Sequence, residues 1–451
     1  MGNLFGSSGV RGLVNVFLTP TLACKVASAV ATYSGAKKAV VARDTRVSGG
    51  MIEAALVSGL QSCGVEVLLA GIVPTPVCAY ATKALGADVG FMLTASHNPP
   101  QYNGIKVFNH EGLSYVDADQ ESVEKIVAEG EFSLANWKKT GTTKQVDTTS
   151  IYLKMVQQAV RLKKQWRVVV DPGCGAAFSL GPQMLKMLGC KVTALNAQPD
   201  GHFPARKSEP NAKTLKDLSA AVRILGADIG VAFDGDADRV AFVDEKGVFV
   251  NFDRSLAAYC AYMLKRCGGG VVVTTIEASM AVETMAHRYA GKVSRTKVGD
   301  IYVSEVINRE GAVFGGEPCG AWIQPNLHLC PDGLLSAAFF LLALESEGKT
   351  VSELVCEVPE YITMRVNFVC KNDEKYVLID QLGEQLKASF PDYTDFSIVD
   401  GARLALKNGW LLVRASGTEP LIRLTVEGES EQAAKDITQK ASALIQQQIE
   451  A

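Results

Sequence analysis

The chain has 451 residues, 47% of them hydrophobic and 21% charged, so it can form several domains that each bury a core. The net charge of −3 excludes the basic surface that nucleic acid or an anionic membrane would attract. Eleven cysteines show no C-x-x-C spacing, and the N-terminal residues lack the pattern of a signal peptide, so we expect a cytoplasmic protein.

Three stretches of the chain predict strand–helix–strand units of the kind that build parallel sheets. Each begins with a β-branched run, at 39–44, 167–171 and 270–274, and continues through a helical pattern to a second strand. Two further segments are nearly identical, L-G-A-D-V-G at 85–90 and L-G-A-D-I-G at 225–230, and each precedes an unusual loop. The sequence therefore predicts three similar domains.

Beyond about residue 365 the pattern changes. Strands predicted at 410–414 and 421–426 flank a polar loop, and a helix predicted at 432–448 follows. We predict an α/β fold in which three similar α/β mixed-sheet domains and a smaller C-terminal α+β domain surround a central cleft. The expected domains are 1–150, 151–252, 253–365 and 366–451.

The first unusual loop, T-A-S-H-N-P at 94–99, follows an apolar run that predicts a buried strand. Taken alone, it is typical of a turn stiffened by proline. No G-x-S-x-G motif surrounds Ser96, which argues against a lipase-type hydrolase. A nearby cation would make Ser96 a candidate nucleophile, and His97 and Lys106 are the neighbouring groups that can move protons.

The second loop, D-G-D-A-D-R at 234–239, predicts a divalent metal site. Asp234, Asp236 and Asp238 offer three hard oxygen ligands of the kind that Mg²⁺ prefers. An EF-hand needs glycine at its sixth position, where this chain has Arg239. A merely solvated acidic turn is disfavoured because three carboxylates so close together repel each other.

Two later loops complete the set. G-G-E-P-C-G at 315–320 presents Glu317, whose carboxylate can accept hydrogen bonds from sugar hydroxyls, and Cys319, for which packing is favoured over nucleophilic chemistry. The fourth loop offers a phosphate-binding set, or alternatively a hairpin turn with polar residues: Arg414, Ser416, Gly417 and Thr418. The four loops together indicate phosphoryl transfer on a phosphorylated, hydroxyl-rich small molecule.

These loops, in this order, closely resemble those of the α-D-phosphohexomutase family. T-A-S-H-N-P resembles the family's phosphoserine loop, D-G-D-A-D-R its metal loop, G-E-P-C-G its sugar loop and R-A-S-G-T-E-P its phosphate loop. F-G-S-S-G-V-R-G at 5–12 resembles its N-terminal signature, so the resemblance covers effectively the whole chain. It implies that the four domains carry the phosphoserine, the metal, the sugar and the non-transferred phosphate, respectively.

The resemblance also implies a mechanism. Phosphorylated Ser96 would give its phosphoryl group to a sugar hydroxyl, and the bisphosphorylated sugar would turn over and return its other phosphate. The implied ligands of Mg²⁺ are Ser96, Asp234, Asp236 and Asp238, and Arg11 is implied to contact the phosphoserine region. Lys106, with His97 nearby, is the implied general base, and Arg239 is implied to orient the substrate. Glu317 and Cys319 would lie at the sugar, and the phosphate would be held by Arg414, Ser416, Gly417 and Thr418. A bisphosphorylated hexose or hexosamine is the implied activator.

Departures from the family pattern bear on the choice of sugar. Cys319 replaces the usual serine, and Asp300, within K-V-G-D, stands where the glucose/mannose branch often has histidine. K-V-G-D followed by I-Y-V resembles the glucosamine branch of the family, and Asp300 would also favour an ammonium group at sugar carbon two by charge pairing. We therefore predict interconversion of glucosamine-6-phosphate and glucosamine-1-phosphate. The alternatives are a phosphoglucomutase/phosphomannomutase, a non-catalytic phosphosugar-binding protein and a phosphatase. The expected partner is a small phosphosugar, without nucleic acid or membrane, for a monomer or homodimer.

Overall fold

The described part of the chain, residues 4–6, 9–371, 374–416 and 420–450 of a computed structural model, contains four β-sheets with helices packed on them. The first sheet and its helices comprise β1 (Val10–Leu13), α1 (Pro20–Ser34), β2 (Lys38–Arg43), α2 (Gly49–Ser62), β3 (Glu66–Ile72), α3 (Thr75–Ala84), β4 (Val89–Leu93), β5 (Tyr102–Asn109), α4 (Asp117–Glu129) and β6 (Thr143–Gln145). The second group comprises α5 (Thr148–Ala159), β7 (Arg167–Asp171), α6 (Leu180–Met187), β8 (Lys191–Ala194), α7 (Lys216–Leu225), β9 (Ile229–Phe233) and β10 (Val240–Val243).

The third and fourth groups complete the described chain. The third comprises α8 (Phe252–Cys267), β11 (Gly270–Thr275), α9 (Ala281–His287), β12 (Gly291–Thr296), α10 (Asp300–Glu310), β13 (Phe314–Gly316), β14 (Trp322–Ile323), α11 (Gly333–Glu347) and α12 (Val351–Cys356). The fourth comprises β15 (Ile362–Val369), α13 (Lys375–Ser389), β16 (Asp395–Ser397), β17 (Ala402–Leu406), β18 (Gly409–Ala415), β19 (Leu421–Gly428) and α14 (Glu431–Glu450). None of the helices in the described ranges combines the length and apolar character needed to cross a membrane.

The first three sheets share one strand order, which confirms the predicted repeat. Each contains an antiparallel hairpin strand, the strand before the unusual loop and two parallel strands, in the orders β5-β4-β2-β3, β10-β9-β7-β8 and β14-β13-β11-β12. The first sheet adds β1 and β6 at its edges. The fourth sheet is wholly antiparallel, in the order β15-β19-β18-β17-β16. The predicted division near residues 150, 252 and 365 stays a prediction, and β15 spans the last of these positions.

The cores follow from the buried faces of these elements. The central strands β2, β4, β7, β9 and β11 are largely apolar and buried on both sides, as helices on both faces of a sheet require. Helix α11 is apolar nearly all round and is buried except near its C-terminal end, and it packs in one continuous core shared by the first three groups. The fourth sheet has a separate core, and Trp410 and Leu412 pack on Ile276 of the third group. The first three domains therefore form one packed body, on which the C-terminal domain docks.

Candidate active site

Ser96 lies just past the end of β4, and its hydroxyl reaches the second domain. The side chain is buried, and its Oγ donates a 2.6 Å hydrogen bond to Oδ2 of Asp234. Its backbone φ is +49°, a left-handed conformation that is uncommon for a residue other than glycine. The first and second unusual loops therefore meet at Ser96.

Gly235 allows this approach because it has no side chain. A Cβ at this position would lie 2.4 Å from the backbone oxygen of Ser96, well inside van der Waals contact. Thr75 at the start of α3 adds a second link, since its hydroxyl donates a 2.5 Å hydrogen bond to Asp236. The aspartate loop is thus held directly against the first domain.

The three aspartates of the second loop form a group suited to a cation. Asp234, Asp236 and Asp238 are buried, and one carboxylate oxygen from each lies within 4.8 Å of the others. The Oδ1 atoms of Asp236 and Asp238 are buried without a hydrogen-bond partner in the described chain. Buried anionic oxygens need such a partner, and hard oxygen donors suit Mg²⁺, so the residues present fit this ion.

The pKa values of Asp234 and Asp236 are shifted in opposite directions. Burial, together with Asp238 and Asp236, raises the pKa of Asp234 well above its ordinary value. Burial also acts to raise the pKa of Asp236, but the Lys106 ammonium and hydrogen bonds outweigh it and lower that pKa. Because the neighbouring carboxylates oppose the ionisation of Asp234, a cation bound beside it would favour its charged form.

Lys106 supplies one cation to this group from the middle of β5. Its Nζ lies 2.6 Å from Oδ2 of Asp238 and 3.1 Å from Oδ2 of Asp236. Burial alone would lower the pKa of Lys106, but Asp236 and Asp238 outweigh it and raise the pKa above its ordinary value. The structure therefore places the predicted proton-transfer residue beside the aspartates and holds it there as an ammonium.

His97 and Arg11 also contact the serine loop. Nδ1 of His97 is 3.3 Å from Ser96 Oγ, and burial, with Arg239 and Arg11, lowers the pKa of His97 to about 3. His97 is therefore neutral at physiological pH. Arg11, at the edge strand β1, donates a 2.9 Å hydrogen bond to the side chain of Asn98 in the serine loop.

Backbone pairing joins the metal loop to the sugar loop. Arg239 pairs with Ala321 in an isolated antiparallel bridge, and the Val240 N–H donates to the Gly320 carbonyl at 3.0 Å. Gly320 has φ +88°, and a Cβ there would lie 2.1 Å from the oxygen of Val240. The second and third domains therefore fix their loops against each other, with Arg239 at the junction.

Glu317 in the sugar loop is buried and accepts a 3.2 Å hydrogen bond from the Gly299 N–H. Burial, reinforced by Asp300, raises the pKa of Glu317 to about 7. Burial raises the pKa of Cys319 to about 12, so its side chain is a thiol at neutral pH. The loop therefore offers one carboxyl group and one weakly polar group to a ligand.

Asp300 is the first residue of α10 and is half-buried. It lines a small cavity together with Lys106. Burial raises the pKa of Asp300, while Lys106 opposes this effect. The structure thus places Asp300 at the third domain's side of the cleft, where it is electrostatically coupled to Lys106.

The phosphate loop lies only partly within the described residues. Arg414, in β18, forms ion pairs with Asp400 (3.1 Å) and with Glu277 of the third domain (3.4 Å). Ser416 is buried; its N–H donates to the Leu421 carbonyl, and its own carbonyl accepts from Lys375. The predicted ligands Gly417 and Thr418 lie outside the described residues.

Arg46 and Ser208 are among the residues of the site that were not predicted from the sequence. The guanidinium of the fully buried Arg46 donates to the carbonyls of Ser96 (2.9 Å) and Asn98 (2.7 Å). Ser208 of the second domain donates to the carbonyl of His97 at 2.7 Å. A signal for Arg46 was available, since R-D-T-R at 43–46 puts charged residues at the end of an apolar strand. Ser208 has no comparable signal.

Comparison with known proteins agrees with this geometry. Models of the four phosphoglucomutase/phosphomannomutase domains match in order: α/β/α domain I at residues 2–134, domain II at 150–247, domain III at 251–361 and the C-terminal domain at 366–444. Relatives from Thermococcus gammatolerans and Methanopyrus kandleri, both named probable phosphoglucosamine mutase, are 42% identical over 449 residues and 41% identical over 452 residues. Each match covers the whole of this chain and 99% of the relative.

Solved structures show the same fold. The crystal structure of a phosphoglucomutase/phosphomannomutase family protein from Burkholderia thailandensis matches with a TM-score of 0.89 and 27% identity, covering 98% of each chain. An N-acetylglucosamine-phosphate mutase, at 14% identity and a TM-score of 0.62 over 98% of this chain and 96% of its own, shares the fold. The predicted resemblance is confirmed: the chain belongs to the phosphoglucomutase/phosphomannomutase family, whose members are phosphohexomutases.

Proposed function

We propose that this protein interconverts glucosamine-6-phosphate and glucosamine-1-phosphate through a phosphoserine at Ser96. The observation that carries the proposal is the 2.6 Å contact between Ser96 Oγ and Asp234, within a buried group of three aspartates. A hydroxyl beside a metal-binding group is suited to carry a phosphoryl group. The names of the relatives at 41–42% identity support the choice of amino sugar.

The reaction consists of two balanced transfers. In the first, the Oγ–P bond of phospho-Ser96 breaks as the free hydroxyl of the sugar bonds to phosphorus, and the hydroxyl proton passes to a base. The bisphosphorylated sugar then reorients, and Ser96 Oγ bonds to the phosphorus at the other end of the sugar as that sugar O–P bond breaks. The freed sugar oxygen takes the proton back from the base. The net reaction moves one phosphate on the sugar and leaves Ser96 phosphorylated.

Mg²⁺ is the proposed metal, held by Asp234, Asp236, Asp238 and the phosphate on Ser96. When bound, it neutralises the charge of the transferring phosphoryl group. His97 lies beside Ser96 Oγ and Lys106 beside the aspartates, and these two residues are the proposed proton carriers. Lys106 is favoured as the base, a role that requires its neutral amine; Mg²⁺ held by Asp236 and Asp238 would remove the ion pairs that raise the pKa of Lys106. Arg11 holds the serine loop through Asn98.

The remaining loops bind the sugar. We assign the hydroxyls to Glu317, with Cys319 beside it, and substrate orientation to Arg239. The phosphate that is not transferred is assigned to Arg414, Ser416, Gly417 and Thr418. Because this last group recognises phosphate rather than a position on the sugar, one site can serve both ends of the molecule.

Asp300 is the proposed selector of the amino sugar. Its partly buried carboxylate would pair with an ammonium group at carbon two, and a hydroxyl there would gain less. A bisphosphorylated hexosamine or hexose is the proposed activator, because it can phosphorylate an unmodified Ser96. We further propose a cytoplasmic protein, monomeric or homodimeric, whose partner is a phosphosugar and which binds neither nucleic acid nor membrane.

A coupled assay tests this proposal. It would compare glucosamine-6-phosphate, glucose-1-phosphate and mannose-1-phosphate as substrates, with Mg²⁺ and a trace of the bisphosphorylated sugar. The proposal predicts the highest kcat/KM for glucosamine-6-phosphate. Equal or faster turnover of the neutral sugars would identify a phosphoglucomutase/phosphomannomutase, and no turnover of any sugar would favour a binding protein.

A further inference from the structure

One largely buried arginine in each of the three similar domains donates hydrogen bonds to backbone carbonyls near the strand ends. Each also pairs with a carboxylate of its own domain: Arg46 with Asp44 at 3.0 Å, Arg206 with Asp171 at 2.9 Å and Arg295 with Glu283 at 2.7 Å. Arg206 donates to the carbonyl of Phe233, the residue before the aspartate loop, at 2.6 Å. Of the three, only Arg46 donates to the serine loop.

Arg46 uses its guanidinium to organise the whole serine loop. Nη2 donates to the carbonyls of Ser96 (2.9 Å) and Asn98 (2.7 Å). Nη1 donates to those of Pro99 (2.7 Å) and Tyr102 (2.8 Å). Since the guanidinium is completely buried, it depends on these carbonyls and on Asp44 for its hydrogen bonds. The loop is therefore wrapped around one guanidinium.

The same ion pair also holds the amide side of Ser96. The Ser96 N–H donates to Thr94 Oγ1 at 2.8 Å, and this hydroxyl donates to Oδ2 of Asp44 at 2.7 Å. Arg46 Nε donates to that oxygen of Asp44 at 3.0 Å, which closes a ring of hydrogen bonds around Ser96. A left-handed φ at a serine persists only where its surroundings over-determine it, and this ring does so.

We propose that Arg46 is a positioning residue for phosphoryl transfer at Ser96, an inference that rests on the proposed function. It acts through the Ser96 backbone, which fixes Oγ at 2.6 Å from Asp234. Lysine cannot replace it, because a single ammonium cannot reach four carbonyls and a carboxylate as a planar guanidinium does. Thr94 acts in the same ring as the link between the Ser96 amide and Asp44.

The test compares Arg46→Lys with the matched control Arg295→Lys. Arg295 is also paired with a carboxylate and donates to the carbonyls of Thr275, Ile276 and Ala278, none of which belongs to the serine loop. We expect Arg46→Lys to lower kcat about 100-fold, the cost of an ångström-scale misplacement of reacting groups, and to leave KM within about twofold. The rate of Ser96 phosphorylation by the bisphosphorylated sugar, followed by intact mass, should fall in parallel.

Arg295→Lys should lower the melting temperature and leave both rates within about threefold of the wild type. The proposal would be overturned if kcat fell equally in the two variants. It would also be overturned if Ser96 were phosphorylated in Arg46→Lys at the same rate as in the wild type. Should Arg46→Lys fail to fold, Thr94→Val provides the test instead. This variant should slow the phosphorylation of Ser96 about tenfold, and Thr94→Ser should restore the wild-type rate. Unchanged phosphorylation in Thr94→Val would also contradict the proposal.

The mass measurement separates this inference from the proposed function. A wild-type protein that is phosphorylated on Ser96 but turns over no hexose phosphate would contradict the proposed function, and the comparison of variants would still test Arg46. A wild-type protein that is not phosphorylated at all would overturn both.

Discussion

The backbone oxygen of Ser96 lies so close to Gly235 that a Cβ on this glycine would sit 2.4 Å away. The two residues belong to different domains, 139 positions apart in the numbering, and their loops form one site. The Ser96 hydroxyl then meets the adjacent Asp234. Ser96 and the three aspartates can therefore lie close together because Gly235 has no side chain.

Gly235→Ala should therefore impair catalysis. The added methyl group must push the serine and aspartate loops apart, and a displacement of this kind costs about 100-fold in kcat. Steady-state kinetics would check this expectation. Gly50→Ala is the matched control, because its Cβ meets no atom within 4 Å and helix α2 would tolerate it. Wild-type kcat in Gly235→Ala would contradict the close approach.

Lys106→Met should destabilise the protein most strongly when metal is absent. It leaves the buried carboxylates of Asp236 and Asp238 without their ammonium partner, a change that costs about 3–5 kcal/mol in buried pairs. Thermal unfolding in the presence of a chelator would measure the loss of stability. Unfolding in the presence of Mg²⁺ would measure how much stability is recovered, since a bound ion stabilises the folded state.

Lys83→Met provides the control for that experiment. Its ion pair with Glu111 is about half exposed, so the loss should be about 0–1 kcal/mol and independent of Mg²⁺. Equal destabilisation of the two variants, or a failure of Mg²⁺ to raise the melting temperature of the wild type, would contradict the assignment of the aspartates to a metal.

Asp300→Asn should weaken the preference for the amino sugar. Removing one carboxylate charge costs ~1 kcal/mol of pairing with the ammonium group, so the ratio of kcat/KM for glucosamine-6-phosphate over glucose-1-phosphate should fall about fivefold. Glu305→Gln removes the same charge from an exposed position on the same helix and should leave the ratio unchanged. An unchanged ratio in Asp300→Asn would rule out charge selection by Asp300.

Asp253, at the start of α8, should make the unfolding free energy depend on pH. Burial raises its pKa from 3.8 to about 6 in the folded protein. The native state therefore binds more protons than the unfolded state between about pH 4 and pH 6, and the contribution of Asp253 to stability falls as pH rises through this window.

Asp253→Asn removes this pH-dependent loss of stability. It keeps an acceptor for the Ser279 N–H, which donates to Asp253 at 2.8 Å in the wild type. Relative to the wild type, the variant should gain about 2–3 kcal/mol between pH 4 and pH 7 by chemical denaturation. Asp392→Asn, at an exposed site, is the control and should show no such difference. If the difference in unfolding free energy between Asp253→Asn and the wild type does not change with pH, the raised pKa of Asp253 is disproved.

The repeated domains and the grouping of the three aspartates could be predicted because their signals are local. Strand periodicity and the spacing of Asp234, Asp236 and Asp238 are visible within a few residues of sequence. The partners of Arg46 were not predictable in this way, because four backbone carbonyls about 50 residues away carry no side-chain signature.

The docking of the C-terminal domain was also beyond the sequence pattern. Glu427 is buried, and its Oε2 accepts hydrogen bonds from Trp410 (2.7 Å) and from the Met280 N–H of the third domain (2.8 Å). In the sequence, Glu427 is only one more polar residue in an alternating strand. Its role depends on a surface that exists only after the third domain has folded.

The transfer of phosphate from Ser96 to the amino sugar tests the central proposal most directly. Protein phosphorylated on Ser96, verified by intact mass, would be mixed with glucosamine-6-phosphate and Mg²⁺ and quenched within single turnovers. We predict that the mass of one phosphate leaves Ser96 as bisphosphorylated glucosamine appears, returns as glucosamine-1-phosphate forms, and never appears on Ser96→Ala. Formation of glucosamine-1-phosphate while the phosphate stays on Ser96, or in Ser96→Ala, would contradict it.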